Sequence, residues 1–283
     1  MSGSRWKAFP HKDKAYDYAG AALEKAWSRL HAGDREPFPS AAYMEAQAAA
    51  HPRLKFAGDA EAAAKQLQDA WRAYHRGDFS EAVRLGEALG PIGANAAAKA
   101  MNIYATYLIE DEAEKTRLFL DAANRTEKLQ KAAPDNANAF YLHAQALGRY
   151  SQGVSVVKAL AEGLGGKIRQ SLETAIKREP RHADAHIALG AYHAEVVDKI
   201  GGMIAGLTYG ASKDAAVRHF EEALKLNPTS AIARMEYANA LAMLFGSSKL
   251  KQATALYEEA AKCKPADAME RLDVEAAKAE LED

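Results

Sequence analysis

Apolar residues recur every three or four positions along most of this chain, and short breaks of Gly, Pro and Asp separate the runs. That is the period of a helix with one buried face. The two-residue alternation of a half-buried strand is absent. Pro134, Pro180, Pro228 and Pro265 each close a run. Proline cannot continue a helix, and it forces its predecessor out of the α region. The pattern predicts helices near 13–32, 40–51, 58–76, 79–89, 94–109, 111–132, 137–161, 167–178, 183–206, 212–226, 230–245, 249–263 and 267–281.

Three of these runs share an internal register: LETAIKREP (172–180), FEEALKLNP (220–228) and YEEAAKCKP (257–265). In each, a large apolar residue sits three before a small one (Leu172 and Ala175, Phe220 and Ala223, Tyr257 and Ala260), and Pro follows five later. The unit is a helix A, a turn, a helix B and a Pro, and units of this kind stack into helical hairpins. A second echo lies nearer the start. LEKAWSRLHAGD (23–34) and LQDAWRAYHRGD (67–78) match at Leu, Ala-Trp, His and Gly-Asp. Trp27 and Trp71 read as packing anchors. Gly33-Asp34 and Gly77-Asp78 read as turns, with Ser80 or Asp78 as the cap of the next helix.

In these features the chain resembles the tetratricopeptide repeat family, whose unit is 34 residues long. Leu189-Gly190, the Gly77, Phe79 and Ala82 positions, and Ala175, Ala223 and Ala260 with their prolines carry the likeness. The Pro-to-Pro spacings of 46, 48 and 37 depart from that unit. The first two excesses are SVVKALAEGLGGK (155–167) and VVDKIGGMIAGLTYGASK (196–213), both apolar, Gly-bearing and opening on Val-Val. Elongated A helices of this sort are similar to two relatives, the T component of tripartite transporters and the regulator of microtubule dynamics family. The T-component likeness implies an apolar channel and a solute-binding partner. The implied fold is all-α: a right-handed TPR-like solenoid of about six hairpins with elongated A helices. It divides into a degenerate hairpin (1–56), TPR-like hairpins (57–135), repeats with apolar insertions (136–265) and a capping helix (266–283). In the last, Met269, Leu272, Ala276 and Ala279 form the packing stripe and the opposite face is charged.

Composition narrows the partners. The chain has 283 residues, 48% of them hydrophobic, with 37 Lys and Arg against 38 Asp and Glu. The balance shows no footprint for nucleic acid. No apolar run is long enough to span a membrane, and no signal-peptide core opens the chain. The location expected is cytoplasmic, or periplasmic where a leader has been removed. Cys263 stands alone and excludes an intrachain disulfide.

Candidate chemistry is sparse. His182 and His186 have metal-ligand spacing, but no third ligand follows. Near EGLGGKI (162–168) the phosphate-loop pattern lacks its first Gly and its Ser or Thr. No cofactor, metal or catalytic group is expected, and the chain reads as non-enzymatic. The family likeness instead places Asn138, Tyr141, Gln145, Arg149, Asp184, Glu195, Met235 and Asn239 on the concave groove, where a protein or peptide would bind. Val156, Val157, Leu160 and Leu164 form one apolar stripe in the insertions, and Val197, Ile200, Ile204 and Leu207 another, with Met203 beside it. Exposed, they make too apolar a surface for a monomer. They meet one another, an apolar small molecule or a second copy in a homo-oligomer. Two functions stay open: an interaction scaffold for a protein or peptide, and a carrier holding an apolar ligand between the elongated helices.

Overall fold

The computed structural model describes residues 6–13 and 15–282. The N-terminal reading of a leaderless start rests partly on residues 1–5, which lie outside the described residues. Helices α1 (Ala22–Leu30) and α2 (Ala41–Ala50) precede five hairpins. The first is α3 (Ala60–His75) with α4 (Phe79–Ala88), and the second α5 (Ala94–Tyr107) with α6 (Glu112–Ala132). The third pairs α7 (Ala137–Gln152) with α9 (Leu164–Arg178), and α8 (Val156–Ala161) lies between them in sequence. The fourth pairs α10 (Ala183–Ile200) with α12 (Lys213–Leu226), across α11 (Gly202–Tyr209). The fifth is α13 (Ala231–Phe245) with α14 (Leu250–Ala261), and α15 (Ala268–Glu282) ends the chain. Among the described residues there is no strand.

The prolines act as the pattern predicts, and a cap follows each. Asn136, His182 and Ser230 stand two residues after Pro134, Pro180 and Pro228. Each accepts a hydrogen bond from a backbone N–H of the new helix, at 2.9, 3.1 and 3.1 Å. One helix B is thereby stopped and the next helix A started within a few residues. The first helices of successive hairpins, α3, α5, α7, α10 and α13, touch in that order and make the inner layer, with α15 as its last member. The small positions let the layers close. A Cβ on Gly190 would come within 2.9 Å of the Phe220 ring, which is fully buried and stacks on Tyr237 at 5.2 Å.

Three expectations change. The first helix does not run over 13–32; α1 starts only after Gly20, whose φ of +55° interrupts it. The elongated A helices are each broken. The helix expected over 137–161 stops at Gln152, and Ser155 caps a separate α8, its hydroxyl accepting from the Lys158 N–H at 3.2 Å. The helix expected over 183–206 stops at Ile200, because Gly201 takes φ +77°, which ends one helix and lets α11 set off in a new direction. Finally, α15 does more than cap. Its Val274 and Ala277 pack with Met235 and Ala260, while Met269, Glu270 and Asp273 face a chamber on the concave side. Ala279, expected in the packing stripe, is exposed.

Candidate functional site

The concave face of the stack is occupied by the chain's own two ends. From α15, the Glu270 carboxylate accepts from Arg29 Nη1 and Nη2, the Tyr107 hydroxyl donates to Asp273, and the Tyr74 hydroxyl meets the Met269 sulfur at 2.9 Å. From the other end, residues 31–36 after α1 cross the inner face, and the Asp184 N–H donates to the Gly33 carbonyl at 3.1 Å. The Asp184 carboxyl packs directly on Gly33, so that a Cβ there, 2.2 Å from Oδ1, would push it aside.

These contacts enclose a network of buried charge. The Lys99 ammonium bonds Asp34 Oδ2, and His31 Nδ1 lies 2.8 Å from Asp34 Oδ1. Burial alone would raise Asp34, but Lys99 and His31 outweigh it and hold the carboxyl well below its ordinary range. Burial works against the charge on Lys99 too, and Asp34 and Asp184 overcome it, so its pKa stands above the usual lysine value. Burial holds the His31 and His182 imidazoles down at about 4. Glu36 accepts from the amides of Asn95 and Asn138, yet burial, helped by Asp34, raises it to about 8. His182 Nε2 lies 2.8 Å from Asn138 Oδ1, so the cap of α10 is tied to the same network. Most of these groups find a partner, which offsets the cost of burying them, although Asn95 Oδ1 has none among the described residues.

Beside the network lies a chamber of about 530 Å³, a size typical of small-molecule sites. Its polar end lies at the N-terminal ends of α7 and α10, where Tyr141 and Asp184 stand by Lys99 and Asp34. Its other end lies at the C-terminal ends of the same helices, where α8, α9 and α11 add Leu160, Leu164, Ile168 and Tyr209 beside the mutually bonded Gln152, Glu195 and Lys199. Asp184 is pushed up to about 7 by burial, with Lys99 opposing and Asp34 adding to the shift. Asp273 is pushed to about 8 by burial, against the Tyr107 hydrogen bond.

The groove candidates separate into two groups. Tyr141, Gln145, Arg149, Asp184 and Glu195 line the chamber together. Gln145 accepts from the Asn102 amide at 3.0 Å, Arg149 pairs with Glu236 at 2.9 Å, and Glu195 accepts from Gln152 at 2.6 Å. Asn138 is buried in the network behind it. Met235 is buried against α14 and α15, and Asn239 is exposed, accepting from the Tyr257 hydroxyl.

The apolar insertions divide as well. Leu164 is buried, and Ile200 and Leu160 reach the chamber, Leu160 from a half-exposed position at its rim. Val157, Met203, Ile204 and Leu207 stand in the open, with Leu207 85% exposed. His186 faces His219 with 2.9 Å between their Nδ1 atoms. No group of three potential metal ligands occurs among the described residues. No helix among them is long and apolar enough to cross a membrane. Sequence reasoning missed Asp34, Glu36, Lys99, His75, Asp267 and Asp273. The one available signal was the matched His and Gly-Asp pairs of the N-terminal echo, which bring His31 and His75 within 3.3 Å of each other.

Comparison with known proteins agrees with this architecture. A family model described as "RMD1-3: Regulator of microtubule dynamics protein 1-3" matches residues 94–283. The structure is similar to TTC0263, a thermophilic TPR protein of Thermus thermophilus. That likeness has 19% identity and a TM-score of 0.55, covering 77% of this chain and 99% of the other. MamA aligns at 16% identity over 78% of this chain and 95% of its own, with a TM-score of 0.37. No curated protein matches the sequence.

Proposed function

The chain belongs to the regulator of microtubule dynamics protein 1-3 family, a TPR-like scaffold fold, and on that footing we propose a non-catalytic binding protein whose chamber holds a small, largely apolar molecule. One observation carries this reading. The concave face, where a TPR-like protein would lay an extended peptide, is taken up by α15 and by residues 31–36, and what remains is a partly open chamber with a mainly apolar surface and charged groups that are mostly paired with one another. A peptide running the length of the inner face would have to displace α15. A compact ligand would not.

The apolar insertions support the same reading. Leu164, Ile168 and Ile200 wall the chamber, and Leu160 stands at its rim. Native mass spectrometry of the gently purified chain is expected to show a bound small molecule that is lost on denaturation. An apo mass alone, from several mild preparations, would count decisively against it.

A second reading, a protein partner on the outer surface, is favoured by the family's description, which ties its members to microtubule dynamics. The exposed side chains of α8 and α11 are the surface it would use. Co-sedimentation with assembled microtubules, lost on Met203→Ser with Leu207→Ser, would establish it. The absence of pelleting would remove it.

A further inference from the structure

We propose that the chamber selects a cationic amphiphile, an amine carrying an apolar chain, with its ammonium group between Asp184 and the Tyr141 hydroxyl and its chain running toward Leu164 and Ile200. The inference rests on the chamber reading above and names the class of ligand.

Charge bookkeeping inside the chamber leads to it. Each cation that lines the space is already paired: Lys99 with Asp34, Arg149 with Glu236 and Lys199 with Glu195. The carboxylates are not all matched in return. Glu270 has Arg29. Asp273 has only the Tyr107 hydroxyl. The Asp184 carboxylate forms no hydrogen bond or ion pair with any described residue, although its backbone N–H is tied to Gly33. An entering anion finds no unpaired cation and two carboxylates without one. An entering cation finds carboxyls able to release a proton and become its countercharge, in surroundings where ion pairs are far less screened than in water.

Tyr141 makes a second, separate case. Its side chain lines the chamber at only 6% exposure, and its ring lies against His182. Its hydroxyl has no hydrogen-bond partner among the described residues. Within the chamber that hydroxyl is free to accept, and an ammonium donates three hydrogen bonds. The elevated Asp184 carboxyl, at about 7, agrees with an acid buried beside insufficient positive charge.

The geometry then orients the ligand. Asp184 is in the first turn of α10 and Ile200 is its last residue, about 24 Å further along the helix at 1.5 Å per residue. Between them Ile187, Ala188, Ala191 and Val196 face the chamber. Asp184 thus stands without an ion-pair partner at one end, while at the other Lys199 and Glu195 offset each other beside Leu164 and Ile200, so a fatty acid's carboxylate finds no free cation at either.

The test is calorimetric titration of the full chain with dodecylamine, dodecanol and dodecanoate below their micelle concentrations. The expected order is dodecylamine tightest, at least tenfold over dodecanol, with dodecanoate weakest. Asp184→Asn should abolish the amine preference and leave dodecanol binding unchanged. If that variant does not fold, Tyr141→Phe should reduce the amine preference severalfold. Equal binding of amine and alcohol, or tighter binding of dodecanoate, overturns this inference and leaves the chamber reading standing. Failure of all three probes to bind overturns both.

Discussion

His75 Nδ1 lies 2.8 Å from Asp267 Oδ2, joining the last residue of α3 to the residue that opens α15. The two side chains are almost wholly buried, 192 positions apart. The other oxygen of Asp267 accepts from the Glu270 N–H at 2.8 Å and caps α15. One carboxylate thus starts the final helix and fastens it across the inner layer. Asp267→Ala leaves a buried histidine without its hydrogen-bond partner and the helix uncapped, and should cost about 2–4 kcal/mol. Asp267→Ser keeps a capping oxygen and should recover about 1 kcal/mol. Urea denaturation measures both. Hydrogen exchange should show α15 losing protection first.

Two glycines in equivalent inner helices should respond with opposite sign. Gly190→Ala drives a Cβ into the Phe220 ring and is expected to cost about 1–3 kcal/mol. Gly148 sits within α7 with nothing in reach of a new Cβ. Gly148→Ala should stabilise by about 0.5–1 kcal/mol, since alanine loses less backbone freedom in a helix. Thermal melts of the pair decide it.

Stability should fall between pH 6.5 and 8. Glu36 and Asp273 are raised to about 8 in the folded chain, so the native state keeps protons that the unfolded chain gives up near 4. Above that lower value each carboxyl costs at most about 1.4 kcal/mol per pH unit, until its folded pKa is passed. The depressed imidazoles, His31 and His182 among them, act in the opposite sense, but only between about 4 and 6.5. Above 6.5 the acids act alone. Denaturant midpoints at pH 6.5 and 8 should show the fall, and Glu36→Gln should flatten part of it.

The two apolar insertions contain residues of unequal weight. Leu164 is 3% exposed and Leu207 85%. Leu164→Ala should cost about 2–5 kcal/mol through the cavity it leaves. Leu207→Ala should change stability by no more than about 0.5 kcal/mol. Equal effects in equilibrium unfolding would mean that α11 is covered in solution.

Much of the stack was legible in the residue pattern because its causes are local. A proline stops a helix whatever surrounds it, and Asn136 or Ser230 starts the next within three residues. The breaks at 153 and 201 were harder to read. Apolar residues continue through both at helical spacing, and only the backbone of Gly201 and the Ser155 cap end the run. Asp34 was legible as half of a Gly-Asp turn, and its twin Asp78 does cap α4. That Asp34 instead turns inward to Lys99 could not be read, because Lys99 lies 65 positions away in a helix that looks like any other.

By itself, the sequence determined most of the helices, their proline stops and the order in which hairpins stack, since these depend on contacts between near neighbours and on the period of apolar residues. Only the tertiary structure decided that the curve of the stack brings α15 back to α3, that α15 and residues 31–36 both lie on its inner face, and that a chamber with an unpaired acid remains beside them. Those outcomes depend on small angles accumulated over five hairpins, and no short stretch of residues encodes their sum.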